Sequence, residues 1–298
     1  YGHHHRMSGH FDIHHKGRLA IDSGSYMEYQ ATQGGKDIGW YYRTTLAHNT
    51  LTVYNPEDLK RHPDGGQWGA MMDHFSWWKP GGERDIANII AFESQPLYDY
   101  VAGEAHKAYC YPSKRLTEFS RQLVYLPPSH LVIFDRVTAT DPTFTKDWLL
   151  HVNQKPEVVG GTAELIEDAT GGGGEKAGIW EHRNENYVRI IDGEGQLIMT
   201  PLLPAERILR VVGGPKEPIP IDRGPFKGHF YFGGHPRGYE FWSKPGGKPG
   251  GRNCWYRIDP EKVRLAAQEE AGWGRIELEP ARPHHRDLFL VVLQICNR

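Results

Sequence analysis

The chain is poor in what marks a redox protein or a thiolate-metal protein. It has only three cysteines among 298 residues, Cys110, Cys254 and Cys296. No two of them form a C-x-x-C pair, which excludes thiolate zinc ribbons and thioredoxin-type motifs. An odd, sparse set leaves room for one bridge of unassigned pairing and does not fix the compartment. Positive charge is not in excess either: 35 Lys and Arg stand against 37 Asp and Glu, for a formal net charge of -2. General nucleic-acid binding needs a basic footprint, so that class is excluded. An anionic sugar needs only a local cluster of Arg, His or Lys and stays open. No run of about eighteen apolar residues occurs, so no membrane-spanning helix is expected. Helical periodicity is nearly missing: only residues 261–271 have helix-like composition, without an apolar stripe. The four glycines at 171–174 lack the strand, lysine and helix of a phosphate-binding loop and read as a flexible turn.

What is abundant points to strands. Gly and Pro together make up 56 of 298 residues, against roughly 12 % in average usage. Nine Trp, fifteen Tyr and eleven Phe suit pleated, half-buried surfaces, and they also suit stacking on sugar rings. Short apolar runs end at turn residues. They include Arg18-Leu19-Ala20-Ile21, Thr50-Leu51-Thr52-Val53-Tyr54, Trp148-Leu149-Leu150-His151-Val152 and Gln196-Leu197-Ile198-Met199-Thr200. Residues 121–126 and 131–137 flank Pro127-Pro128-Ser129 and read as two adjacent strands. Residues 275–278 and 288–293 close the chain. The expected fold is all-β, a large antiparallel β-sandwich. Loop tracts at 213–225 and 245–251 suggest a main sandwich over 1–225, with 226–298 as closing strands or a small C-terminal β-subdomain. There is no internal repeat.

Histidine is the other surplus. Seventeen occur, and a cluster crowds the first fifteen residues. His3 and His5 are two apart, so on an extended strand they share a face. Asp22 and His48 each adjoin a strand run, beside small or turn residues. Imidazole with carboxylate suits a divalent transition metal, zinc above all. Spacing alone does not distinguish such a site from a solvated, His-rich surface loop.

Three motifs in order carry a resemblance: His3-x-His5 with Gly9-x-Phe11, then Lys16-Gly17-x-Leu19-Ala20-Ile21-Asp22-Ser23-Gly24, then Ala47-His48-Asn49-Thr50. Tyr125-Leu126-Pro127-Pro128, Phe134-Asp135-Arg136-Val137, Trp148-Leu149-Leu150-His151 and Asp287-Leu288-Phe289-Leu290 add to it. Together they resemble the β-sandwich of heparinase II/III-like polysaccharide lyases over most of the chain. The resemblance implies a supersandwich whose N-terminal α/α toroid is absent from this chain. It implies one structural Zn2+ held by His5, Asp22 and His48, an ion that pins the loop presenting His3 to substrate. Where the family often has Asp two residues after the second His, Met7 stands here, which puts metal affinity in doubt. His10, where the family commonly has Ser, compensates for that Asp or competes for the ion.

The activity implied is cleavage of a uronic-acid-containing polysaccharide by β-elimination. That reaction needs the C5 carboxylate neutralised, a base for the C5 proton and an acid for the departing oxygen. His3 is the expected neutralising or base-side group; Tyr29 and Tyr42 (Tyr41 beside them) are the acid or base candidates in the right stretch, although each reads first as a packing residue. Arg43 and His151 are expected to contact an acidic sugar, though a salt-bridged Arg and a solvent-facing His fit the same residues. Asp135 is expected to pair with a neighbouring Arg rather than act in catalysis. A helical N-terminal domain, or a second chain of the same precursor, is the expected partner, and a secreted or periplasmic place the expected location. The opening on Tyr1, with no signal peptide before it, gives the expectation of an internal start. Two other readings are kept: a non-catalytic carbohydrate-binding or matrix protein that retains the zinc-bearing sandwich, and a zinc hydrolase using an open metal position.

Overall fold

The computed structural model describes residues 5–23, 44–55, 65–67, 85–110, 113–168, 178–214 and 272–298, plus the backbone of 219–220, 230–231 and 255–256. The helix-like stretch 261–271, the glycine run 171–174 and the tract 245–251 lie outside the described residues. The strands in chain order are β1 (Ile13–His14), β2 (Arg18–Ala20), β3 (Leu51–Tyr54), β4 (Asn88–Gln95), β5 (Tyr98–Glu104), β6 (Leu116–Leu126) and β7 (His130–Ala139). Next come β8 (Thr145–Val152), β9 (Glu157–Val159), β10 (Thr162–Asp168), β11 (Gly178–Arg183), β12 (Tyr187–Asp192) and β13 (Gly195–Leu203). The last are β14 (Arg207–Gly213), β15 (Ile219–Pro220), β16 (Phe230–Tyr231), β17 (Trp255–Tyr256), β18 (Gly274–Pro280) and β19 (Arg286–Asn297).

Two antiparallel sheets make the sandwich. A six-stranded sheet runs β10-β11-β14-β18-β8-β3, and an eight-stranded sheet runs β4-β5-β6-β7-β19-β13-β12-β9. Alternation along the strands sends every second side chain inward. Trp148, Leu150, Leu209, Val211, Ile276 and Leu278 from the first sheet meet Phe119, Ile133, Val137, Met199, Phe289 and Val291 from the second in one core. The strands expected across Pro127-Pro128 pair as β6 and β7. The closing strands are interior: β18 lies between β14 and β8, and β19 between β7 and β13. Residues beyond 226 therefore supply strands to the middle of both sheets. Cys110 and Cys296 are free thiols, and Cys254 lies outside the described residues.

β4 and β5 were not expected from the sequence. β4 is almost wholly exposed, with Ile89 at 74 % and Phe92 at 71 %. Pairing to β5 across the Pro96-Leu97 turn, rather than burial of one face, holds it in the sheet.

The short β1–β2 hairpin packs on the β12–β13 turn. Arg18 N–H donates to Asp192 Oδ2 at 2.7 Å. The backbones approach so closely that a methyl on Gly17 would stand 1.9 Å from the Asp192 carbonyl oxygen, and one on Gly195 would stand 1.9 Å from that of His15. This contact fixes the strand that leads directly into Asp22.

Candidate metal centre

Three separated segments converge at the edge of the six-stranded sheet. The first is the irregular loop from His5 to Asp12. Its backbone is pinned by side chains: Gln67 Nε2 and Thr50 Oγ1 donate to Ser8 O at 2.8 and 2.9 Å, and Thr45 Oγ1 donates to Arg6 O at 2.8 Å. Ser8 N–H in turn donates to Gln67 Oε1 at 2.9 Å. Gly9 turns the loop with φ +82°, a conformation that suits glycine. The second segment leaves β2 through Ile21 and Asp22. The third is the 3-10 turn Thr45–Ala47, which ends on His48 and delivers the chain into β3.

Arg121 joins the first and third segments from the facing sheet. Its Nε and Nη2 bind the Asp135 carboxylate at 2.9 and 2.6 Å, while Nη1 donates to the carbonyls of Gly9 and Asn49. Both members of the pair are buried. The expectation for Asp135 thus resolves to Arg121, the residue directly opposite it on β6.

The ligand atoms of His5, Asp22 and His48 lie within 4.8 Å of one another. Ligand atoms on a single zinc ion, at bonds of about 2.0–2.2 Å and tetrahedral angles, stand about 3.3 Å apart, so small side-chain shifts bring the three into range. His48 is fully buried, whereas Asp22 keeps 42 % of its side-chain surface exposed. Asp22 Oδ1 approaches His48 Nδ1 to 2.6 Å, but without the alignment of a hydrogen bond, and neither ring nitrogen of His48 has a hydrogen-bond partner. An unpaired buried polar atom costs roughly 1–3 kcal/mol. A shared cation would take up one of the two orphaned nitrogens and the close carboxylate, so the residues fit a divalent ion. Burial pushes the His48 imidazole below its ordinary pKa despite the opposing effect of Asp22, which favours the neutral ring a metal requires.

His10 stands outside this cluster. Its Nδ1 accepts from the Asn49 N–H at 2.8 Å, its Nε2 faces Asp12 at 3.1 Å, and its ring meets His48 edge-on at 5.1 Å between centroids. It bonds the backbone of Asn49, next to His48, and is not one of the three clustered residues. Burial alone would raise the Asp12 carboxyl, but the His10 ring and the nearby His14 and His48 outweigh it and hold the carboxyl below its usual value. Met7 is 43 % exposed; its side chain carries no oxygen, and its carbonyl accepts from the His10 N–H at 2.8 Å.

His3, Tyr29, Tyr41, Tyr42 and Arg43 lie outside the described residues. His151 requires a correction: it is fully buried, and its Nδ1 lies 3.1 Å from Asn49 Oδ1, so it is not placed to touch a sugar. Burial, and then the Arg275 charge, push its pKa well below the ordinary value. Tyr109 is also fully buried, its hydroxyl donating to Leu51 O at 2.5 Å, and burial raises its phenol, which unsuits it for proton transfer. Sequence reasoning missed the supporting residues Thr45, Asn49, Gln67 and Arg121. Only Asn49 carried a signal, as the neighbour of a ligand in His48-Asn49-Thr50.

Among solved structures, the heparan sulfate lyase HepC from Pedobacter heparinus is similar at 11 % identity and TM-score 0.42, covering 95 % of this chain and 28 % of that one. A structure of heparinase III is similar at 13 % identity and TM-score 0.44, covering 100 % of this chain and 30 % of that one. The chain thus spans less than a third of the length of these structures. Comparison with curated proteins gives no match. The family model described as "Heparinase II/III-like, C-terminal" matches residues 1–201, about two thirds of the sequence. By that match the chain belongs to the heparinase II/III-like family.

Proposed function

We propose that this chain is the β-sandwich part of a polysaccharide lyase that cleaves a uronic-acid-containing polysaccharide by β-elimination, with one zinc ion held by His5, Asp22 and His48. Family membership supports the reading. The observation that carries it is the convergence of two imidazoles and a carboxylate, from three separated segments, within 4.8 Å. When bound, the ion would supply a cross-link and a fixed positive charge beside the segment that carries His5. In this reading His3, two residues before His5, offers an imidazole to the C5 carboxylate of the sugar and lowers the cost of charge developing there. Tyr29 and Tyr42 exchange protons with C5 and with the departing oxygen, and Arg43 holds an acidic sugar. His151 takes no part in sugar contact and serves the centre from beneath. A helical domain or second chain supplies the rest of the cleft wall, and the polymeric substrate puts the protein outside the cytoplasm, secreted or periplasmic.

The test uses the full-length protein on heparinoid, alginate and other uronans, reading the absorbance of unsaturated uronate. The expected result is a rise on one of these polymers that falls by roughly 10²–10⁴-fold in His3→Ala. Polymer binding without any rise points instead to a non-catalytic carbohydrate-binding protein and overturns the lyase reading.

A further inference from the structure

We propose that Asn49, oriented by His151, is the positioning residue of the metal centre: one side-chain amide that sets the spacing of the three ligand-bearing segments. The inference rests on the proposed ion at His5, Asp22 and His48, and assigns a task to residues that are not ligands.

An asparagine side chain has two N–H donors and two acceptor sites on its oxygen. Asn49 uses all four. Nδ2 donates to Phe11 O at 2.7 Å and to Ile21 O at 3.1 Å. Oδ1 accepts from the backbone N–H of His151 at 2.7 Å and from its Nδ1 at 3.1 Å. The two carbonyls on one side and the backbone donor on the other fix which way the amide faces. They also fix the His151 tautomer, because only Nδ1–H can donate to Oδ1. The backbone of Asn49 is engaged as well, its N–H by His10 Nδ1 at 2.8 Å and its carbonyl by Arg121 at 2.8 Å.

The partners lie where ligand spacing is decided. Phe11 belongs to the loop that carries His5, Ile21 immediately precedes Asp22, and Asn49 immediately follows His48. A single rigid plane therefore touches all three segments. His151 holds that plane from below on β8, where it is fully buried opposite Arg275 of β18. Outer-shell partners of this kind typically account for 10–100-fold in metal affinity. A purely structural residue would behave differently, lowering stability equally with and without metal.

The test measures zinc affinity by competition with a chromophoric chelator, and melting with and without zinc, on wild type, Asn49→Ala, His151→Phe and the core control Ile133→Ala. Cobalt-loaded samples add the d–d absorption of the ligand field. The expected result for Asn49→Ala is roughly 10–100-fold weaker zinc binding, a diminished zinc-dependent rise in melting temperature and an altered cobalt spectrum. His151→Phe keeps the approximate ring size and the backbone donor but loses both ring nitrogens, the Nδ1–H to Asn49 and the interaction with the Leu46 backbone, so a smaller change of the same kind is expected. It also serves if Asn49→Ala does not fold. Ile133→Ala should melt lower yet bind zinc as wild type does. Variants that lose stability but bind zinc like wild type overturn the positioning role and leave the metal reading standing. A wild-type chain that binds no zinc overturns the metal reading and this inference with it.

Discussion

Arg121→Met is the perturbation whose cost is best defined by the structure. The guanidinium makes three contacts of 2.6–3.1 Å to the Asp135 carboxylate and bonds two further carbonyls, those of Gly9 and Asn49. The rings of Phe11, Phe119 and Trp148 surround it at 5.8, 5.8 and 5.9 Å. Asp135 is 0 % exposed, so the substitution strands a carboxylate where water cannot reach it. Removing one partner of a buried pair costs about 3–5 kcal/mol. With an unfolding entropy of about 2.1 cal/mol/K per residue, that corresponds to a fall in melting temperature of roughly 5–8 °C for a chain of this length. The double variant Arg121→Met/Asp135→Leu removes the stranded charge and should recover most of the loss, because apolar replacement of a buried pair is often neutral. Urea denaturation of wild type, single and double variants measures each quantity. A single-variant loss below about 1 kcal/mol, or a double variant as unstable as the single, would refute the view that this pair is desolvated and holds the two loops to the facing sheet.

Two further outcomes are expected. His151 stays neutral in the fold because burial and the Arg275 charge depress its pKa, whereas the unfolded chain takes a proton near 6.5. Its contribution is complete above that value and is lost as pH falls through 6.5 toward the folded pKa, so the urea midpoint of chelated protein should drop below about pH 6.5 and His151→Phe should flatten that slope. An equal slope in the variant would contradict the assignment. Gly17→Ala places a methyl 1.9 Å from the Asp192 carbonyl oxygen, and should cost roughly 1–3 kcal/mol as the β1–β2 hairpin is pushed off the β12–β13 turn. A melting temperature equal to wild type would show that the hairpin has room.

Much of the sandwich was legible where burial wrote it into the sequence. β7, β8 and β19 carry apolar residues at core positions and break at Pro, Gly or Asn, so pattern and fold agree. β4 left no such trace, because its side chains face solvent and hairpin pairing alone keeps it extended. The ligands His5, Asp22 and His48 could be named only through resemblance. Their sequence separations reflect strand order, not ion geometry, and spacing in a sheet protein says little about distance. Arg121 was hidden for another reason. It occupies an inward position between Phe119 and Leu123, where pattern reading expects an apolar residue, and its partner Asp135 becomes visible only once the register of β6 on β7 is known. Asn49 shows the same limit, since its four bonds reach Phe11, Ile21 and His151, residues that only the folded chain brings together.

Metal content per chain speaks most directly to the central claim. Protein purified without chelator and measured by elemental mass spectrometry should hold about one zinc per chain, and His48→Ala and Asp22→Ala should hold almost none while keeping the far-ultraviolet spectrum of a β-protein. Wild type without zinc after exposure to the metal, or variants that retain it in full, would contradict a site built from these three side chains.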